Sequence, residues 1–454
     1  MSDWIYHDDM YRFDKPEPSY WEATAGTQVP QATPLASTET CDVAIIGGGY
    51  TGLSAAYHLC RDSDLDVRVL EAGHIGWGAS GRNGGFCSIG GTAIGDEVMI
   101  DRYGLEEAQA YYRSQVDAIG LVRDLIVGEK IDSPRQGSSE VAIACSQQGF
   151  EDLKEHAEFQ FRVLGLDNTV VSREEFAERY FDSPLQHGAV ILKPTFGLHP
   201  LRFVQGLALA AERRGARLHA SSEVIDWSKD GQNHVLSSRG GTIKAKKVVL
   251  ATNGFSPEHL HKGLKGRSMP VISSIVVTRP MTAGEIARHG WQTDSPSITA
   301  VKLLNYYRML PDGRFMFGGR GSANGSDRSA ASNYTALIAR MHELFPEWRD
   351  IGIDYRWHGL VCMTRRMTPA IGRLEDDPSV FFAFGYHGNG VNTATWSGQQ
   401  VAKWLASSGS EDLKAPDWLP KMMLGMPGKF PLPSLRLTYL QAAIGALRLR
   451  ERFR

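Results

Sequence analysis

The sequence predicts an α/β protein built on a parallel sheet and joined to a second region whose sheet is mostly antiparallel. Three observations predict it. The β-branched run Cys41 to Ile46 breaks into a glycine cluster, Leu53 to Arg61 has helical periodicity, and a second apolar run, Val67 to Leu70, ends on Glu71. Far downstream, Phe381 to Phe384 feeds another glycine turn, and Thr395 to Leu405 is helical again. Between them, Met269 to Arg320 alternates apolar and polar residues around the turn Pro311-Asp312-Gly313, the period of antiparallel strands.

A chain of 454 residues exceeds one ordinary core, so two domains of about 200 residues each are expected. Hydrophobic residues at 42% and charged residues at 22% describe a soluble globular protein. The formal net charge of −2 and the lack of a long Lys/Arg run before the C-terminus argue against nucleic acid as a partner. Five cysteines (Cys41, Cys60, Cys87, Cys145, Cys362) form no Cys-x-x-Cys pair. Neither a disulfide framework nor a zinc knuckle is expected, no other metal site is indicated, and a reducing cytoplasm fits best. Met1 to Asp14 is polar and acidic. No stretch reaches the roughly 18 apolar residues of a membrane span, so neither a secretion signal nor a transmembrane helix is expected.

Residues 1–40 are rich in Pro, Ser, Thr and aromatics without periodicity, and read as an arm lying over the body. Helices are expected from Leu105 to Val127, from Glu151 to Leu164 and from Leu201 to Arg214, the last stopped by Gly215. Strands are expected from Arg217 to Val224 and from Lys246 to Leu250, the latter ending at Ala251-Thr252-Asn253-Gly254 and returning the chain to the first sheet.

Gly47-Gly48-Gly49-Tyr50-Thr51-Gly52 satisfies G-x-G-x-x-G between a strand and a helix. Gly47 permits the tight turn, Gly49 lets the backbone approach a pyrophosphate, and Gly52 allows close packing of helix on strand. The phosphate charge would rest on free N–H groups at the helix N-terminus, and Glu71 would accept hydrogen bonds from ribose hydroxyls. This is a Rossmann-type dinucleotide site. A second glycine-rich loop, Ala79-Ser80-Gly81-Arg82-Asn83-Gly84-Gly85, follows shortly after Glu71. It could pass close to a ribityl chain and offer Arg82 to the diphosphate, which favours FAD over NAD.

Several motifs in order resemble the D-amino-acid-oxidase-like family of flavoproteins, especially the branch of γ-glutamylputrescine oxidases, glycine oxidase and monomeric sarcosine oxidase. They are Asp42 to Gly52, Ala79 to Gly85, Gly197-Leu198-His199-Pro200, Ala251 to Gly254, Asn305-Tyr306-Tyr307-Arg308, and Gly385-Tyr386-His387-Gly388-Asn389-Gly390. The resemblance covers about Tyr20 to Leu405. It implies a Rossmann-type FAD-binding domain (41–125, 195–268 and 357–410) interrupted by a substrate domain with a mostly antiparallel sheet (126–194 and 269–356), with a tail from 411 to 454. Val224, Ala251, Thr252 and Asn253 would then line the cofactor with the glycines, and Gly385, Gly388, Asn389 and Gly390 would bring a helix N-terminus to the flavin. It implies removal of hydride from a carbon bonded to an amine, giving an imine that water hydrolyses.

The same resemblance places Cys362, in Gly359-Leu360-Val361-Cys362-Met363, where monomeric sarcosine oxidase carries the cysteine that bonds its flavin. A small buried hydrophobe is the commoner fate of a free cysteine, and covalent attachment is not favoured. Sarcosine-type members hold the substrate carboxylate with a cation just past the C-terminal glycine turn, where this chain has Val391-Asn392-Thr393. Arg308 is the best remaining carboxylate anchor, with a structural ion pair as its alternative. The oxygen-activating lysine of those relatives aligns with Met316. Of Tyr306 and Tyr307 only one can face a site, because neighbours on a strand point opposite ways. His387 is a candidate to face substrate or to brace the turn. Pro427 to Arg454 predicts a basic amphipathic helix, Leu435 to Leu449, that packs on its own protein or a second subunit, or lies on a membrane surface.

The sequence therefore points to FAD-dependent oxidation of a primary or secondary amine, amino-acid-like or γ-glutamyl-amine-like, with electrons passing to oxygen or a respiratory acceptor. Two alternatives stay open. One is an amino- or imino-acid dehydrogenase, peripheral to the inner face of the membrane, that reduces quinone; the other is a flavin-binding subunit without turnover.

Overall fold

The computed structural model describes residues 4–322, 324–407 and 415–452, with side chains followed to residue 447. Two eight-stranded sheets organise them. The first begins with Thr38–Ile46, whose last four residues, Val43 to Ile46, are all buried. Burial on both faces is the mark of a parallel strand covered from either side. It pairs in parallel with Val67–Leu70 and with Thr242–Leu250; Arg217–His219 adds in parallel at one edge and Val380–Phe384 at the other. Ala370–Arg373 closes that edge antiparallel, and the hairpin Asp226–Asp230/Asn233–Ser237 attaches to Thr242–Leu250. Helices Tyr50–Asp62, Pro200–Arg213 and Gly390–Ser407 bury their apolar stripes against one face.

The second sheet runs in the order Ile353–Thr364, Ser268–Thr278, Phe315–Arg320, Tyr306–Met309, Ser297–Thr299, Glu140–Ile143, Ala189–Lys193, Asp167–Val171. All its pairs are antiparallel except Ser297–Thr299 with Glu140–Ile143. One face packs on an aromatic core that includes Phe181, Trp291, Phe315, Phe345 and Trp348. The other face turns toward the first sheet.

Three expectations need correction. The boundary at 356/357 cuts a single strand: Ile353–Thr364 pairs with Ser268–Thr278 over nearly its whole length, so residues 357–364 belong to the second sheet. The strand expected from Arg217 to Val224 stops at His219, because Ser221 takes φ = 48° and turns the chain out of the ladder. The first strand also starts earlier than Cys41, since Thr38 already pairs with Thr242.

The tail helix forms from Arg436 to Arg452. Its first basic residue is not on a free face: Arg436 is buried, bonds Glu258 at 2.6 Å and donates to the Ser268 carbonyl. Leu437, Tyr439 and Leu440 pack against the body. The side chains of Arg448, Arg450, Arg452 and Arg454, and the start of the tail at 411–414, lie outside the described residues. Among the described residues no helix is long and apolar enough to cross a membrane.

Candidate active site

A cavity of about 960 Å³ runs from the first glycine turn to the inner face of the second sheet. At its first end the glycines are sterically required. A Cβ on Gly47, which has φ = 113°, would lie 2.7 Å from the Ala251 carbonyl oxygen; one on Gly52 would lie 2.0 Å from that of Gly47. A Cβ on Gly49, the N-cap of Tyr50–Asp62, would meet Ser80 Oγ at 2.7 Å. Glu71 Oε2 accepts from the Gly48 N–H at 2.7 Å and Oε1 from that of Gly73 at 3.0 Å. A carboxylate has about four lone-pair sites, so ribose hydroxyls still find acceptors there. Burial raises the pKa of this carboxyl, opposed by the Gly73 and Gly48 hydrogen bonds. Val224, Ala251, Thr252 and Asn253 line the same end, and Asn253 Oδ1 accepts from the Gly385 N–H, tying two returns of the chain together.

Along the middle, Ala79, Ser80, Arg82, Asn83 and Gly84 line the cavity. Ser80 Oγ accepts from the Tyr50 N–H, capping the opening helix from another segment. Asn83 differs from expectation: its amide bonds the Ala79 and Ser80 carbonyls and its Oδ1 takes the Gly85 N–H, so the side chain braces the loop. Arg82 is buried, stacked 3.9 Å over Trp77 and bonded to the Trp77 carbonyl and Glu17. Only its Nη2 has no partner and remains for a ligand.

The third return supplies Gly385, Tyr386, His387, Gly388, Asn389 and Gly390 to the lining, and Gly390 begins the helix that runs to Ser407. Its N-terminal N–H groups and positive dipole end are therefore at the cavity. His387, with φ = 52°, sets Nε2 3.4 Å from the Thr364 N–H and hydroxyl. Burial pushes its pKa down to about 4, so it is neutral at ordinary pH, and its buried Nδ1 has no partner. Cys362 lines the cavity but is 1% exposed, and burial pushes its thiol up to about 12. The nucleophilic thiolate is scarce there.

The second sheet separates the three neighbours of the Asn305–Arg308 motif. Tyr306 faces the cavity and shares a hydrogen bond of 2.9 Å with Ser273 Oγ. Tyr307 points the other way and stacks on Phe317 in the aromatic core. Arg308 shares the face of Tyr306 but is completely buried; it bonds the Leu198 carbonyl and Gln136 Oε1 and lies over the Trp21 ring. Gly85 and Gly197 cover it so closely that a Cβ on either would come within 2.7 Å of its guanidinium. Tyr307 and Arg308 are therefore structural, and Arg308 is not a carboxylate anchor. Met316 is likewise a core residue, paired in register with Arg308, and does not line the cavity. Asn392 and Thr393 are buried in the closing helix, while Val391 lines the cavity.

Sequence reasoning missed Ser88, Glu140, Ser273, Lys302 and Arg320, all of which line the cavity. Glu140 opens a short apolar strand, Glu-Val-Ala-Ile, and an acid on the cavity face of a buried strand was the available signal. Trp4 and Phe13 from the arm and Leu447 from the tail also line it, so both ends of the chain cover the cavity.

The steric cradle, the spare lone pairs of Glu71, the unpartnered Arg82 Nη2 and the length of the cavity fit FAD. A Rossmann-type sheet joined in this way to an antiparallel substrate sheet defines an FAD-dependent flavoprotein. The chain belongs to the DAO family of FAD-dependent oxidoreductases, whose model matches residues 42–404. It is 30% identical over 393 residues to the γ-glutamylputrescine oxidoreductase of Escherichia coli (strain K12), covering 85% of this chain and 88% of that protein. It is also 30% identical over 382 residues to the probable oxidoreductase OrdL of Haemophilus influenzae, covering 82% and 84% respectively. The crystal structure of glycine oxidase from Geobacillus kaustophilus superposes with a TM-score of 0.67 at 23% identity, over 82% of this chain and 96% of that one.

Proposed function

We propose that the protein oxidises a primary or secondary amine, amino-acid-like or γ-glutamyl-amine-like, at the carbon next to nitrogen, giving an imine that water hydrolyses. The observation that carries this reading is the continuous cavity from the Gly47 turn to Tyr306 and Ser273, which joins the dinucleotide cradle to the inner face of the second sheet. The relationship to γ-glutamylputrescine oxidoreductase supports the substrate class. FAD bound there supplies the hydride acceptor. The chain supplies binding and orientation. Gly47, Gly49 and the first turn of Tyr50–Asp62 hold the diphosphate, and Glu71 holds the ribose. The N-terminus of Gly390–Ser407 offers preorganised donors toward the end where negative charge develops. Tyr306, fixed by Ser273, walls the amine site, and Trp4, Phe13 and Leu447 exclude water. His387 stays neutral; its Nε2 accepts from the Thr364 N–H, so Nδ1 carries the proton and is the donor. An amine bound without its extra proton loses hydride readily, so positioning contributes much of the rate. Molecular oxygen is the proposed electron acceptor.

The experiment is anaerobic mixing of the purified holoprotein with γ-glutamylputrescine, other amines and amino acids while the visible flavin band is followed. Bleaching by an amine, with rapid recovery of colour and formation of peroxide on admission of air, is expected. No bleaching by any of them would overturn the amine reading, and bleaching without recovery in air would overturn oxygen as acceptor.

A further inference from the structure

Glu140 is an acid that the FAD site does not use. It is 5% exposed, opens the strand Glu140–Ile143, and lines the cavity beyond the cofactor cradle. Among the described residues no Lys, Arg or His pairs with it; its side-chain hydrogen bond is to Ser88. The Ser88 carbonyl in turn accepts from Asn389 Nδ2 at 2.8 Å, which places this corner beside the turn that begins the closing helix. A carboxylate buried without a cation is costly, so such a group is held neutral unless a ligand supplies the missing charge.

The rest of the sheet face shows where that charge would come from. Register places Glu140 level with Pro296 and Arg308, and Ala142 level with Ile298 and Tyr306. Arg320 lies two residues beyond Gly318, the partner of Tyr306, and Lys302 follows Ser297–Thr299, so both cavity-lining cations sit at the far end of the face. Four residues along a strand separate the two levels by about 13 Å. An acid at one end and cations at the other orient a charged substrate one way only.

We propose that Glu140, steadied by Ser88, is the specificity-determining residue of this cavity: it takes the cationic nitrogen of the substrate and selects amines that enter as ammonium ions, with any carboxylate turned toward Lys302 and Arg320. The amine chemistry of this inference rests on the function proposed above. Burial pushes the carboxyl up to about 7. An ammonium bound against it can pass one proton to the carboxylate, leaving a neutral amine and a neutral carboxylic acid, with no other group gaining or losing a proton.

The test separates this cation site from the oxidation itself. The probes are 2-methylhexan-2-ammonium, whose carbon next to nitrogen carries no hydrogen and cannot lose hydride, and the isosteric alcohol 2-methylhexan-2-ol. Each is titrated into oxidised holoprotein and followed by the visible flavin difference spectrum. The wild type is expected to prefer the ammonium at least tenfold, and Glu140→Gln to lose that preference while keeping the flavin content and a melting temperature no lower than that of the wild type. With an amine that bleaches the wild-type flavin, Glu140→Gln is expected to raise KM at least tenfold with a much smaller change in kcat, and Glu140→Asp to recover part of the loss. Equal binding of the two probes by the wild type, or a preference that survives in Glu140→Gln, overturns the proposal even if amines are oxidised. If no amine bleaches the flavin but the preference is present and lost in Glu140→Gln, the cation site stands and the amine-oxidation reading falls.

Discussion

Arg308 and Glu140 carry opposite charges on one sheet face and have opposite relations to it. Arg308 has committed Nη1 and Nη2 to Gln136 and Leu198, its Nε is buried without a partner, and burial pulls its pKa down to about 9. Arg308→Met leaves those two acceptors unpaired in the interior, at a cost of about 3 kcal/mol in total. Denaturant unfolding should show that loss, while KM for substrate changes less than twofold; a tenfold rise in KM at unchanged stability would restore Arg308 as a ligand of substrate. Glu140 sits where folding disfavours its charged form. Its carboxyl is raised to about 7 from an ordinary 4.5, so the folded protein favours the protonated form. The stability tied to that proton is fully present below pH 4.5 and lost as pH rises through 7. Glu140→Gln removes this titration. Its melting temperature should therefore match that of the wild type below about pH 4.5, exceed it increasingly from there to about pH 7 and keep a constant margin above that, and parallel profiles would show that Glu140 is solvated in the folded state. The strand alternation that divides Tyr306 from Tyr307 was legible in the sequence. What covers Arg308 was not, because Leu198, Trp21 and Gln136 come from three distant segments that no local period relates.

At the scale of elements, the strand-turn-helix units at 38–62 and 380–407 were legible because glycine punctuation and apolar period agree there. Sheet membership was not: Ile353–Thr364 differs from a first-sheet strand only in its partner, and pairing across many residues leaves no local mark. The N-terminal arm shows the same limit. Its composition gave no hint that Trp4 and Phe13 would line the cavity or that Glu17 would hold Arg82. The arm is fastened by Tyr6 to the Pro270 carbonyl and by the His7 N–H to the Asn324 carbonyl. Trp4→Ala with Phe13→Ala leaves those anchors and opens the wall. Iodide should then quench flavin fluorescence several-fold more efficiently, and the dissociation constant for FAD should rise about tenfold, the loss of roughly one buried apolar contact set. Unchanged quenching would mean that the arm does not seal the site.

For the whole molecule, the cofactor joins segments that sequence separates. The Gly47 turn, Glu71, the Ala79–Gly84 loop, Ala251–Asn253 and the Gly385–Gly390 turn all reach one cavity, while the aromatic core behind the second sheet does not. A ligand that binds only the folded state stabilises it by RT ln(1 + [L]/Kd), about 2.7 kcal/mol at a hundredfold excess over Kd. That stabilisation should fall on the elements the ligand bridges. Hydrogen exchange of apoprotein against holoprotein is expected to show faster exchange without FAD in Thr38–Ile46, Thr242–Leu250 and the first turn of Gly390–Ser407. Phe315–Arg320 and the buried parts of Asp327–Leu344 should exchange at the same rate in both. Equal acceleration everywhere would show that the two sheets open as one unit, and the cofactor would then stabilise the substrate-facing wall through the whole fold rather than through contact. A difference confined to the first sheet would mean that the second sheet holds Tyr306, Ser273 and Glu140 in place before FAD arrives, so the amine site is built independently of the group that oxidises its occupant.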